Sequence, residues 1–367
     1  MHPTTYRLAL AGLGNVGSAV LAILHRQDTT LRTRYGVHLQ VTGVAELGGG
    51  AVDTAGLDLG LVLDALRTQR AVASLPGIGR PGMEAVELVQ QAQAHILLEA
   101  TPVNLQDAQP GLGIVTAALK QGTHAVLANK GPLTLAYDEL AEMSDLGLGW
   151  GFAYAPKSDP NTQQKPKPKL RFSACVGGAL PTINLGWRDL AGCQILRLEA
   201  VFNGTTQSIL RAMELGQTYD EALVDAQRRG IAEADPSLDV DGWDAACKLV
   251  ITANAVLGQS TKLADVHVEG IRHLTPEMVQ NAVRAHQRIV LLCAAELSGA
   301  RYRLSVQPTA LPLDHPLSRL TSDEMGVVYY ADAVDRLSAA SSEPGASPAA
   351  AAMVRDVLDI VRSEIGT

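Results

Sequence analysis

Glycines 12, 14 and 17 fall between an apolar run and a helix-forming stretch in LALAGLGNVGSAV, residues 8–20. A strand, a G-x-G-x-x-G turn and a helix in that order leave few folds open. Gly12 permits the tight turn, Gly14 lets the backbone approach a pyrophosphate, and Gly17 allows close contact between helix and strand. The helix start at Asn15 and Val16 then offers free N–H groups and the positive end of the helix dipole to phosphates. A dinucleotide is the expected ligand of this turn.

The pattern continues downstream. Residues 6–11, 39–45, 96–101 and 125–129 read as short strands, with helices predicted over 16–34, 108–120 and 133–143. Such alternation predicts a parallel sheet with crossover helices. The segment 155–169, with four prolines and four lysines, reads as an exposed insertion. Beyond it, LRFSACV, ILRLEAVF, RIVLLCAAEL and RYRLSVQP predict a second sheet with helices on one face. The final SPAAAAMVRDVLDIVR reads as an amphipathic helix with Pro348 near its start.

Composition narrows the function classes. A length of 367 residues suggests two domains, and 47% apolar against 19% charged residues gives an ordinary core. With 30 basic against 38 acidic residues and 4% aromatics, neither a phosphate-neutralising nor a base-stacking surface is expected, so nucleic acid is not a partner. Cys175, Cys193, Cys247 and Cys293 form no C-x-x-C pair or zinc pattern and read as reduced thiols. No run of about 18 apolar residues and no signal-peptide pattern is present, so a cytoplasmic protein without membrane attachment is expected.

Several charged residues are candidates for chemistry. Glu46 ends the second strand, 29 residues after Gly17, where an acid would bind the adenine ribose. No Lys or Arg lies between Glu46 and Leu66, which favours NAD over NADP unless Arg32 or Arg34 arrives from elsewhere. A helix predicted over 242–257, with Asp241 as its N-cap, is apolar on nearly every face of its second half. It carries Asp244 and Lys248 four residues apart, a pair expensive to desolvate and therefore either functional or a structural ion pair at a domain contact. Glu233, Asp235 and Asp239 read either as capping and solvated charges or as an anionic pocket for a substrate ammonium. Lys130 follows the strand at 125–129, one of only eight lysines, at the end of a strand where parallel sheets bind ligands. Two ammonium groups in one site would lower each other's pKa, which suits proton transfer.

The segments GLGNVG at 12–17, EATPVN at 99–104, LANKGPL at 127–133, VGGALP at 176–181, FNGTTQSIL at 202–210 and AEADPSLDVDGWDAACK at 232–248 together resemble the homoserine dehydrogenase family. The resemblance runs over nearly the whole chain, including HPLSRL and the Ala-rich terminal helix. It implies an α/β fold: a Rossmann-type parallel sheet domain at 1–135, a second α+β domain for substrate and dimerisation at 136–325, and a segment at 326–367 returning to the first. It implies interconversion of L-homoserine and L-aspartate 4-semialdehyde with NAD or NADP, toward threonine and methionine, by a homodimer. Lys248 would be the general acid, oriented by Asp244, with Lys130 beside nicotinamide and substrate. Glu233 would hold the substrate ammonium, with Asp239 and the Gly204–Thr205 backbone completing the pocket. Thr101 and Pro102 would line the nicotinamide site and Gly345 would close over it. The backbone carbonyls of Val176, Gly178 and Leu180 would bind a monovalent cation, although Ser173 stands where the family usually has Glu. The glycine-rich turn of the family is here SSEPGASP. A chain ending after its last helix is expected to escape threonine inhibition of the kind that a regulatory domain confers. Two other readings keep the same residues: a dehydrogenase of another small amino-acid-like aldehyde, and a catalytically silent cofactor-binding regulator.

Overall fold

The computed structural model describes residues 3–147 and 166–365. The insertion expected at 155–169 therefore lies outside the described residues up to 165. Two compact units divide the chain: 3–147 with 166–178 and 345–365, and 179–344.

The first unit contains, in chain order, β1 (Thr4–Ala11), α1 (Asn15–Tyr35), β2 (Val37–Glu46), β3 (Gly49–Val52), α2 (Leu59–Arg67), β4 (Gly79–Pro81), α3 (Ala85–Gln91), β5 (Ile96–Glu99), α4 (Gly111–Lys120), β6 (His124–Leu127), α5 (Gly131–Met143) and β7 (Leu170–Arg171). Its sheet runs β4-β3-β2-β1-β5-β6-β7, parallel from β2 to β7. Leu8, Leu10, Ile96, Leu97, Leu98 and Val126 are fully buried, as strands covered on both faces require. The 21 residues of α1 account for the long interval between Gly17 and Glu46.

Two features depart from the sequence reading. β2 does not lead into a crossover helix but turns through Leu47 and Gly48 into β3, which with β4 forms an antiparallel edge. Two residues suffice for a hairpin and cannot carry a crossover. The strand expected at 170–176 as part of the second sheet joins the first sheet instead, parallel to β6, and it stops at Arg171 and becomes a short 3₁₀ turn over Ser173–Cys175. Its backbone is diverted: the Ser173 N–H and hydroxyl both donate to Asp356 of the terminal helix Ser347–Ile365, at 2.8 and 2.7 Å. Arg171 Nε donates to Asp359 at 2.7 Å on the same helix face. Burial pushes the Asp356 carboxyl up to about 6.

The second unit contains α6 (Thr182–Asn184), β8 (Ile195–Val201), α7 (Gly204–Glu214), α8 (Tyr219–Arg228), α9 (Ser237–Val240), α10 (Trp243–Val256), β9 (Val266–Val268), α11 (Pro276–Arg284), β10 (Gln287–Ser298), β11 (Arg301–Pro312), β12 (Glu324–Ala331) and β13 (Leu337–Ser342). The sheet order is β13-β12-β8-β10-β11-β9, antiparallel except for the β11–β9 edge. Helices α7, α10 and α11 pack on it. The sequence reading did not include β12 and β13. The second of these alternates half-buried and exposed residues over LSAASS, too weakly apolar to announce itself. No helix among the described residues is long and apolar enough to cross a membrane.

Candidate active site

The glycine turn of the first unit is built as its spacing predicts. Gly12 has φ +92°, and a Cβ on it would lie 2.4 Å from the Ala100 carbonyl oxygen, the loop after β5. A Cβ on Gly17 would lie 1.9 Å from the carbonyl oxygen of Gly12. Gly14 faces open space, with nothing within 4 Å of where its Cβ would stand. Helix α1 makes its first internal bond from Ser18 N–H to the Gly14 carbonyl at 2.9 Å, so the N–H groups of Asn15, Val16 and Gly17 precede its ladder. No acidic side chain occupies the first turn. Open space over a bare helix start is what a dinucleotide pyrophosphate needs, and the residues present fit it.

At the far end of β2, Glu46 is held in place: its Oε1 accepts the N–H of Val72 at 2.8 Å. Arg32 and Arg34 sit in the last turn of α1, just before β2 begins, and the ten-residue strand separates them from Glu46 by about 30 Å. Arg32 pairs with Asp28 at 2.8 Å and Arg34 lies over the Tyr35 ring. Both are engaged at the opposite end of β2 from Glu46. Val72, the partner of Glu46, lies 26 positions further along the chain, beyond the reach of sequence proximity.

The loops after β5 and β6 are tied by one carboxyl group. Glu99 Oε1 accepts the Thr101 N–H at 2.9 Å, the Thr101 hydroxyl, and Asn129 Nδ2 at 3.5 Å. Asn129 Nδ2 also reaches the Thr101 hydroxyl oxygen and the Pro102 carbonyl, while its Oδ1 accepts the Gly131 N–H at 2.9 Å. Lys130 stands between Asn129 and Gly131, at the N-cap of α5. Glu99 has no solvent exposure, and burial pushes it up to about 7 against the hydrogen bonds that oppose the shift.

In the second unit the expected Asp–Lys pair is present. Lys248 Nζ donates to Asp244 Oδ2 at 2.8 Å and to the Phe202 carbonyl at 2.6 Å, which accounts for two of the three donors of an ammonium. Nearly every residue of α10 is buried; Trp243 at its start is exposed and Lys248 is half-buried. Asn203, which the sequence reading did not single out, is the hub of this cluster. Its Oδ1 caps α7 through Thr206 N–H at 2.8 Å, and its Nδ2 bridges Asp239 at 2.7 Å and Asp244 at 2.9 Å. An Asn before Gly-Thr-Thr was a legible N-cap signal. Burial and the Asp244 charge raise the Asp239 carboxyl, and Thr205 and Asn203 counter part of that. Gly204 and Thr205 form the first turn of α7 beside it.

Asp241 is not the cap of α10. Gly242, at φ +87°, takes that position without a side-chain cap, and the Asp241 carboxylate binds Arg272 instead, at 2.5 Å. The left-handed glycine lets α9 turn straight into α10, which leaves no place for an Asp cap. Glu233 is exposed, and its backbone carbonyl accepts from Gln227 Nε2 at 3.1 Å. Of the carbonyl-bearing residues expected to ligate a cation, Val176 and Gly178 belong to the first unit and Leu180 to the second. Ser173 is committed to Asp356, while Glu343 accepts the N–H groups of Ala179 and Leu180 at 3.1 and 3.2 Å. Gly345 opens the returning segment of the first unit.

A family model described as homoserine dehydrogenase matches residues 181–358. A homoserine dehydrogenase of Methanocaldococcus jannaschii is 32% identical over 312 residues, 85% of each chain. An NAD(+)-dependent homoserine dehydrogenase of Pseudomonas canavaninivorans is 30% identical over 98% of this chain and 97% of its own. A solved homoserine dehydrogenase structure from Thiobacillus denitrificans aligns with a TM-score of 0.80 at 27% identity, covering all of this chain and 75% of that one. Similarity of this extent takes in the glycine turn, the Asn203 cap and the Asp244–Lys248 helix alike, and the chain belongs to the homoserine dehydrogenase family.

Proposed function

We propose that this protein interconverts L-homoserine and L-aspartate 4-semialdehyde as an NAD-preferring dehydrogenase of threonine and methionine biosynthesis. The observation that carries the reading is the Lys248 ammonium, fixed by Asp244 and the Phe202 carbonyl on a largely buried helix. A bound nicotinamide dinucleotide supplies the hydride acceptor in oxidation and the hydride donor in reduction. In reduction Lys248 gives a proton to the carbonyl oxygen as negative charge develops there, and in oxidation its amine takes the proton from the alcohol. Asp244 orients Lys248 and balances its charge. Glu233 and Asp239, with the Gly204–Thr205 backbone, hold the substrate's amino-acid end. Lys130, at the start of α5, adds a second positive charge at the reacting groups, and Thr101 and Pro102 line the nicotinamide. A homodimer assembled through the six-stranded sheet and a monovalent cation at Val176, Gly178 and Leu180 complete the reading.

The test is oxidation of L-homoserine at alkaline pH, where release of a proton pulls the reaction forward, with NAD and NADP in parallel. Absence of turnover with homoserine, or a better rate with another small hydroxy amino acid, overturns the assignment. Cofactor choice rests on Glu46, whose charge opposes a 2′-phosphate. Glu46→Gln keeps the acceptor for Val72 N–H and removes the charge. It is expected to move the NADP-to-NAD ratio of kcat/KM up by about tenfold, which corresponds to roughly 1.4 kcal/mol. An unchanged ratio would place the discrimination elsewhere. Light scattering checks the assembly, and twice the chain mass is expected.

A further inference from the structure

Glu99 is used by nothing in the reaction just described, yet it is the most conspicuous buried acid of the first unit. It ends β5, has no solvent exposure, and its Oε1 gathers donors from Thr101 and Asn129. Its Oε2 is buried with no hydrogen-bond partner among the described atoms. Burying a carboxyl with one oxygen unsatisfied is costly, and an apolar or amide side chain would fill the same space more cheaply. Helix α4 seals the site from the other side: a Cβ on Gly111 would come within 2.5 Å of Asn129 Nδ2 and 3.3 Å of Glu99 Oε1. The titratable groups around it are Lys130, at the start of α5, and the buried Cys175 thiol, which lies in electrostatic reach of Glu99, Lys130 and Asp356.

We propose that Glu99 is a positioning residue for hydride transfer: through Thr101 and Asn129 its carboxylate fixes the two strand-end loops that carry Thr101–Pro102 and Lys130. Both donors of Thr101 point back at Glu99, so Thr101 offers a ligand its backbone carbonyl and methyl group and not a hydroxyl proton. Several donors converging on one oxygen favour the ionised state, because a carboxylate accepts more strongly than a neutral acid. The loops are therefore held most firmly once Glu99 has lost its proton, which burial delays to about 7.

The inference rests on the homoserine reaction proposed above. The test compares wild-type protein with Glu99→Gln, which preserves shape and removes the ionisation. In wild-type protein kcat is expected to show an inflection at pH about 7, and in Glu99→Gln it is expected to be at least tenfold lower at pH 8 and to lack that inflection, with KM for NAD within threefold. Stability moves the other way. A carboxyl raised in the folded state stabilises the fold below the unfolded value and loses that contribution as pH climbs through about 7. Tm of wild-type protein should thus fall by a few °C more than that of Glu99→Gln between pH 5 and pH 8. A residue with a merely structural role would not couple a lower kcat to a flatter stability profile. Thr101→Val, which takes one donor from the carboxylate, should move the kinetic inflection to higher pH. Wild-type kcat and pH profile in Glu99→Gln, an unmoved inflection in Thr101→Val, or equal Tm slopes overturn the inference. Wild-type protein that fails to turn over homoserine overturns the assigned reaction instead, and the Tm slopes are read in either case.

Discussion

Lys248→Arg is expected to cut kcat for homoserine oxidation by about 10²–10⁴-fold while NAD still binds, the range that loss of a positioned acid–base group produces. At about 1.36 kcal/mol per decade this is roughly 3–5 kcal/mol of transition-state stabilisation. Arginine is chosen because it separates chemistry from stability. Lys248→Met would leave Asp244 buried beside Asp239 with no cation, and an uncompensated charge of that kind costs about 3–5 kcal/mol of folding energy. Arginine keeps the positive charge against Asp244 and the Phe202 carbonyl, but its guanidinium does not deprotonate and cannot take a proton from an alcohol. NAD binding, followed by quenching of intrinsic fluorescence, should stay within a few-fold, and Tm should move little. A kcat within threefold of wild type would remove Lys248 from the proton transfer.

How far such residues could be found from sequence depended on whether their partners are local. Asp244 and Lys248 are one helical turn apart, so periodicity alone put them on one face, and the ion pair stands there at 2.8 Å. The glycine turn was legible for the same reason, because its steric logic is confined to residues 12–17 and the adjoining strand. Asp241 was misread as a cap because Gly242 competes for that position and wins on backbone freedom. Long-range partners left no trace. Glu46 meets Val72 across 26 positions, Glu99 meets Asn129 across 30, and Ser173 meets Asp356 across 183. Each depends on a helix inserted between strands or on the return of the terminal helix, and no local pattern encodes such a pairing. The parallel core of the first sheet was readable from its apolar runs. Its antiparallel edge was not, since β3 is four residues of Gly-Gly-Ala-Val and β4 only three.

Gly14→Ala and Gly17→Ala should both weaken NAD binding, but by opposite routes, and the contrast tests the phosphate cradle. Gly14 has φ −65°, which alanine adopts without strain, and its Cβ would meet nothing within 4 Å. The free protein should therefore keep its Tm within about 2 °C, because an unopposed surface substitution changes stability by about 0.5 kcal/mol or less. The methyl group would instead occupy the space that a pyrophosphate needs, so Kd for NAD should rise at least tenfold. Gly17→Ala replaces a poor helix former with the best one, a gain of about 1 kcal/mol on propensity alone. That gain cannot be realised, because the new Cβ stands 1.9 Å from the Gly12 carbonyl oxygen and 3.0 Å from its carbon. Backbone, not a flexible side chain, is in the way, and either the turn or the start of α1 must move. Tm should fall by several °C and NAD binding should disappear with it. Titration calorimetry and thermal unfolding of the two variants decide the matter. If Gly14→Ala bound NAD as tightly as wild-type protein, the open space at the start of α1 would not be where the dinucleotide phosphates lie.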